Sequence, residues 1–229
     1  MSKSKMRFVN YVDRKEQKVC VMMRGISGSG KSYTAKQVLK QYGEDLIPAN
    51  HIFGSDDFFI SDILKEKQGK RDRGEEIDDE YYAELEPETY KDNWSADKLR
   101  TAHMWNFRRF EDALSRDVTP VIIDNTNVQA WEMENYIKTA KKAGYKIYIQ
   151  EPTSPWWQDH AHMFADKKKY GKQLEDFARF LAGHHHGMAD KYGVKGGNQH
   201  SVPLHTLRKK IRQWQPNLTP EEVLEKKKR

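Results

Sequence analysis

Apolar residues fall in four short runs, and longer amphipathic stretches separate them. Residues 19–23 (Val-Cys-Val-Met-Met), 51–53, 121–123 and 145–149 have the length and content of buried strands. Between them, residues 33–42, 96–114 and 128–143 carry apolar positions at helical spacing, with Ala35, Val38 and Leu39 on one face of the first. A last helix is predicted over 203–214, where Leu204, Leu207, Ile211 and Trp214 form one stripe and Pro203 suits the first turn. Strands that alternate with helices predict βαβ units, hence a central parallel sheet with ligands bound beyond the strand carboxyl ends.

A polar cluster follows each strand. They are Gly25–Ser32, Ser55-Asp56-Asp57, Asp124-Asn125-Thr126-Asn127 and Glu151-Pro152-Thr153, so all four are predicted on one rim of the sheet. The first, Gly25-Ile26-Ser27-Gly28-Ser29-Gly30-Lys31-Ser32, is a complete G-x-x-x-x-G-K-[ST] phosphate loop between a strand and a helix. That order aims successive backbone N–H groups and a helix N-terminus at one point, which suits a polyphosphate. Gly28, Ser29, Gly30, Lys31, Ser32 and Tyr33 are the expected phosphate-binding positions. Lys31 reaches the β- and γ-phosphates and Ser32 ligates Mg²⁺. A nucleoside triphosphate, ATP or GTP, is the expected ligand.

In such a fold the end of the second strand faces the γ-phosphate. A carboxylate there can take the proton of an attacking hydroxyl. Neighbours in extended chain point oppositely, so one acid of the pair should face the cleft; Asp56 is chosen as base, against the alternative of a helix cap. Asp124 ends an apolar strand, the form of a Walker-B acid that holds the metal through water. Asn127 is expected to cap the following helix, leaving Asn125 and Thr126 for metal waters or the acceptor hydroxyl.

Charge and composition change the picture in places. Net charge is +6 with a pI near 9.1, which favours an anionic partner but is met by nucleotide alone. Residues 65–88 begin basic and turn acidic and read as a solvated insertion. The single cysteine, Cys20, sits in the first strand and reads as a packed, reduced thiol. Neither an apolar leader nor a membrane-length run is visible, so a soluble, intracellular protein, cytoplasmic or nuclear, is expected. The run His184–His186, with His160, His162 and His200 nearby, reads as polar loop in preference to a zinc site. The expected organisation is one domain over 1–215, with a lid region at 160–200 and a charged tail at 216–229.

The phosphate loop, Ile52-Phe53-Gly54-Ser55-Asp56-Asp57-Phe58-Phe59, Ala102-His103-Met104-Trp105-Asn106, Ile122-Ile123-Asp124-Asn125-Thr126-Asn127 and Ala130-Trp131-Glu132-Met133 together carry a resemblance. The set resembles the phosphate-loop kinase domain of the NEDD4-binding-protein-2 family, which is related to polynucleotide 5′-hydroxyl kinases. Tyr81-Tyr82-Ala83-Glu84-Leu85-Glu86 is similar to the related domain of YLP-motif-containing proteins. The match covers most of residues 18–157.

The resemblance implies a kinase-like P-loop NTPase: a three-layer α/β sandwich with a helical lid. It makes Asp56 the general base and puts Asn125 against the acceptor, with Asp124 and Thr126 beside it. Independent of the resemblance, Asp57 and Arg109 are also expected on the acceptor side. Asn125 departs from the Asp-Thr-Asn of the phage-type kinase, which removes one acid. Related kinases clamp the phosphates with lid arginines ahead of an Arg-Asn-x-His-Gly-Val-like sequence. Here Asn198-Gln199-His200-Ser201-Val202 is similar, but Gly197 stands at the arginine position. A second register, with His184–Met188, would put Gly183 there. Arg179, Lys195 and Arg208 are the candidates for the lid cation.

Three functions fit. The first is phosphoryl transfer to the 5′-hydroxyl of RNA or DNA; Trp105, Trp156 and Trp157 amid basic charge favour single-stranded or end-exposed nucleic acid. Trp105 stands equally for core or for base stacking. The second is a small-molecule hydroxyl kinase. The third is a nucleotide-binding interaction module with little catalysis, kept open by the missing lid arginine.

Overall fold

The structure is a computed structural model that describes residues 17–183, 186–193 and 202–225. Four parallel strands, β1 (Val19–Met23), β2 (Ile52–Phe53), β3 (Val121–Ile123) and β4 (Lys146–Gln150), form one sheet in the order β2-β3-β1-β4. The register pairs Cys20 with Val121 and Ile147, and Phe53 with Ile123. The strands therefore end side by side.

Side chains alternate across the sheet, so each strand serves two cores. Val19, Val21, Met23 and Ile122 pack on Ala35, Val38 and Leu39 of α1 (Lys31–Lys40). Cys20, Met22, Val121 and Ile123 face the other way. There they meet α4 (Leu99–Ser115) through Phe110, Ala113 and Leu114, and α5 (Ala130–Lys142) through Met133, Ile137 and Ala140. This is the expected three-layer α/β sandwich. Cys20 is fully buried, and burial pushes its thiol up to about 12.

Two expectations change. Residues 65–88 carry regular structure beneath their charge: 65–72 and 79–88 belong to two helices, α2 (Ser61–Asp72) and α3 (Asp79–Asn93). Tyr82 is fully buried, with its hydroxyl donating to Glu66 at 2.6 Å and Lys67 and Lys70 lying over its ring. Asp78 caps α3 by accepting from Tyr81 N at 2.9 Å, and Lys67 bridges the helices to Asp79 at 2.9 Å. The charges are on the surface; three aromatic and aliphatic residues underneath (Ile63, Tyr82, Tyr90) hold the pair down.

The charged tail at 216–229 also docks over part of its length. α10 (Pro220–Glu225) buries Val223, and Leu218 beside it enters the α4/α5 core. Two apolar side chains suffice, each contributing about 1.5–3 kcal/mol when fully buried.

A second core, rich in aromatics, sits beyond the sheet. α6 (Pro155–His160), α7 (Gly171–Leu181) and α9 (Leu204–Gln213) bring Trp157, Phe164, Phe177, Phe180, Leu207, Ile211 and Trp214 together. His160 stacks on Phe177 at 4.4 Å and bonds Trp156 O at 2.7 Å, so it is a core residue. α8 (His186–Tyr192) follows α7; His184, His185, Lys195, Gly197 and His200 lie outside the described residues. No helix among the described residues is long and apolar enough to cross a membrane.

Candidate active site

The loop after β1 is built on positive backbone angles. Gly28 and Gly30 have φ of 79° and 89°, which side chains rarely tolerate. A Cβ on Gly30 would also lie 2.9 Å from Ser154 Cβ. The turn between β4 and α6 braces the loop from below. Ser154 Oγ donates to Ser29 O at 2.8 Å, and Trp156 Nε1 donates to Gly28 O at 3.0 Å. Ser29 itself is fully buried beneath the loop.

The fourth polar cluster thus serves structure. Glu151 accepts from Arg24 at 3.2 Å and from Trp157 Nε1 at 3.2 Å, while Thr153 joins Thr34 at 3.1 Å. None of Glu151, Pro152 and Thr153 lines the cleft.

The other three clusters meet in one cleft of about 2820 Å³. Gly28, Gly30, Lys31, Ser32 and Tyr33 line it, with Asp56, Asp57, Arg109, Asp124, Asn125 and Thr126 opposite or beside them. Burial pushes the Lys31 ammonium below its ordinary value; Asp124 and Asp56 pull it back up, and Lys210 pushes it further down. Lys31 Nζ donates to Ile26 O at 3.3 Å.

The two acids after β2 divide their work. Asp57 N donates to Gly54 O at 3.3 Å and Asp57 Oδ2 accepts from Gly54 N at 3.3 Å, so Asp57 closes the Ser55–Ile60 turn. It also pairs with Arg109 at 2.8 Å; burial pushes the pKa of its carboxyl up, and Arg109 opposes the rise. Asp56 is exposed in the cleft and accepts from Tyr90 at 3.2 Å. Asp57 therefore takes the capping position, and Asp56 is the acid of the pair left exposed on the cleft.

Around them the polar side chains are interlocked. Asn125 Oδ1 accepts from Ser55 N at 2.9 Å, and Ser55 Oγ bonds His103 Nδ1 at 2.8 Å. Burial pushes the His103 imidazole below its ordinary value, against the pull of Asp56. Asn127 does not cap α5. It has φ 49°, is buried, and donates to Met23 O at 2.7 Å, while Gln129 starts the helix with Glu132.

The aromatics change places relative to expectation. Trp157 is core, Trp156 braces the phosphate loop, and Trp105 lies 4.4 Å beneath the Arg109 guanidinium with its edge to Phe58. Among the described residues, the exposed rings on the cleft are Tyr33, Trp94 and Trp131.

The lid candidates also change. Arg179 and Arg208 both pair with Glu175 and neither lines the cleft. Lys210 does. Its Nζ donates to Thr126 Oγ1 at 3.2 Å and to Glu132 at 3.1 Å. The signal was in the helix period: Leu207, Ile211 and Trp214 are buried, so Thr206 and Lys210 fall on one flank of that stripe and Arg208 on the other.

Ser32 and Asp124 offer a hydroxyl and a carboxylate beside Lys31, a hard oxygen set of the kind magnesium takes together with waters and substrate phosphates.

Comparison with known sequences fits this geometry. The profile of a family described as AAA domain matches residues 20–179. The chain belongs to that family of P-loop proteins. Human NEDD4-binding protein 2 is 30% identical over 171 residues, 72% of this chain and 8% of that protein. Human YLP motif-containing protein 1 is 26% identical over 216 residues, 92% of this chain and 8% of that protein; the rat protein of that name is 27% identical over 166 residues, 70% and 10%. The expected resemblance to NEDD4-binding-protein-2 and YLP-motif P-loop kinase-like domains is borne out. The chain spans only 8–10% of the length of these relatives. No solved structure matches. This P-loop domain is of a nucleotide-binding type.

Proposed function

We propose that the domain transfers the γ-phosphoryl group of a nucleoside triphosphate to a hydroxyl, with the 5′-hydroxyl of RNA or DNA as the favoured acceptor class. One observation carries the reading: Lys31 of the phosphate loop and the exposed Asp56 share a cleft and act on each other electrostatically. Asp56 accepts the acceptor's proton as that oxygen bonds the γ-phosphorus. The bond from that phosphorus to the β–γ bridging oxygen breaks, and the nucleoside diphosphate leaves. Lys31 and the loop N–H groups bind the phosphates and stabilise the charge that develops. Ser32 and, through water, Asp124 would hold a magnesium ion, which neutralises phosphate charge when bound.

The acceptor side rests on size and lining. Small-molecule sites run to about 300–1,000 Å³; this cleft is several times larger. Tyr33, Trp94 and Trp131 expose rings on it, and Arg100 and Arg108 add charge, a combination that suits stacked bases and a phosphate backbone.

The position of Arg179 and Arg208 outside the cleft favours a second reading, a binding module with little turnover. Transfer of labelled γ-phosphate from ATP and from GTP to 5′-hydroxyl oligonucleotides, alongside a panel of sugars and nucleosides, tests both. Label on oligonucleotides alone supports the proposal. Label on a small hydroxyl alone moves the acceptor class, and nucleotide binding without label on anything leaves the module.

A further inference from the structure

We propose that Lys210 is the phosphate clamp of this cleft: it binds the terminal phosphoryl group of the nucleotide opposite Lys31. The inference rests on the phosphoryl-transfer reading above and goes beyond it by naming the cation. α9 brings Lys210 to the site from a fixed base. Trp214, one turn on, lies 3.7 Å beneath the Arg24 guanidinium, Gln215 N donates to Val128 O at 3.0 Å, and Ala130 N donates to Gln215 Oε1 at 2.8 Å. The end of α9 is thereby bolted to the start of α5, so Lys210 needs no closing lid to reach the cleft.

Three features point to an anion there. Lys210 and Lys31 are like charges brought into mutual repulsion, an arrangement that an anion between them relieves. An ammonium has three donors, and two are taken by Thr126 Oγ1 and Glu132 Oε1, leaving one to point at a ligand. Thr126 also ties the position to the phosphate loop, because its carbonyl accepts from Gly25 N at 3.0 Å. Glu132 holds the resting side chain: its Oε1 takes Lys210 while its Oε2 accepts from Gln129 N at 2.9 Å. The four-carbon stem lets the ammonium turn from Glu132 toward phosphate without moving the helix.

The test compares nucleotides, so it does not depend on the acceptor. Affinity is measured for a β,γ-imido triphosphate, for the diphosphate, and for the diphosphate with aluminium fluoride, a mimic of the phosphoryl group in transit. Lys210→Ala should weaken the triphosphate about tenfold and the fluoride complex more, while the diphosphate stays within about twofold. Lys210→Arg should restore the preference, and Lys209→Ala, on the solvent side of the same helix, should change nothing. Glu132→Gln should hold or raise triphosphate affinity, because it releases the lysine; a merely structural pair would make Glu132→Gln fail as Lys210→Ala does. Equal weakening of all three ligands, or no weakening, would overturn the clamp. Wild-type protein that binds the nucleotides and transfers phosphate with Lys210→Ala unimpaired removes the clamp alone, whereas wild-type protein that binds neither nucleotide overturns the transfer reading with it.

Discussion

Tyr90 donates its hydroxyl to Asp56 Oδ1 at 3.2 Å, so a residue of α3, just past the charged insertion, holds the acid that shares the cleft with the phosphate loop. Tyr90 is itself seated edge-on against Phe59 at 5.3 Å, within the same short turn that carries Asp56. α3 therefore reaches the site through one hydrogen bond and one ring contact.

Tyr90→Phe removes the bond and keeps the ring. Phosphoryl transfer should slow by about tenfold, the worth of one hydrogen bond to a charged group, with nucleotide KM unchanged. Steady-state kinetics on the wild type and the variant decide it; a raised nucleotide KM with kcat intact would contradict the placement.

Lys31→Ala and Asp56→Ala should each abolish transfer, by different routes. Loss of Lys31 removes a phosphate ligand, so nucleotide affinity falls with activity. Loss of Asp56 removes the proton acceptor, a contribution of about 10²–10⁴-fold, and leaves nucleotide binding in place. Calorimetric titration beside the transfer assay separates the two, and full activity in Asp56→Ala would remove the base assignment.

Arg24 is 1% exposed and stands in no motif of the sequence. Its guanidinium donates to Asn127 O at 3.0 Å, Val128 O at 3.3 Å and Gln215 O, pairs with Glu151, and stacks on Trp214. Burial lowers it to about 10, which leaves it charged at neutral pH. Arg24→Met should cost about 3–5 kcal/mol, because Glu151 and three carbonyls stay buried without their donor. Denaturant melts measure it; a loss below about 1 kcal/mol would mean the network relaxes onto water.

The sheet was readable because its strands are short apolar runs with no competing signal, and 19–23 and 121–123 coincide with β1 and β3. The three polar clusters that share the cleft were readable for a related reason: parallel strands that end together must bring their following residues together. What escaped was written in few residues. α2 and α3 are held by side chains scattered through a run of charge, and α10 by Leu218 and Val223 among lysines and glutamates. Which cation of α9 faces the cleft is a matter of about 100° of rotation per residue, and choosing Arg208 over Lys210 needs the partner of each: Glu175 for one, Thr126 and Glu132 for the other. Glu151 looked like chemistry because it follows a strand; its partners, Arg24 and Trp157, lie 127 and 6 residues away.

Lys31 gives the pH dependence. In the free protein burial lowers its ammonium below the ordinary lysine value. A bound polyphosphate raises it again, because the added negative charge favours the protonated form. Between the lowered and the restored value the bound state holds a proton that the free state has released, so nucleotide binding takes up protons and affinity falls as pH rises through that window. Calorimetry in two buffers of different ionisation heat should show this uptake on the alkaline side and not in Lys31→Met. The same linkage runs through folding. The unfolded chain, with an ordinary lysine, binds more protons than the folded one in that window, so the stability of the free protein rises with pH across it. At neutral pH the buried ammonium is a cost, and Lys31→Met should raise Tm in the absence of nucleotide while removing the gain in Tm that nucleotide gives the wild type. A Lys31→Met protein that melts below the wild type without ligand would show that the lysine supports the loop as well as the phosphate.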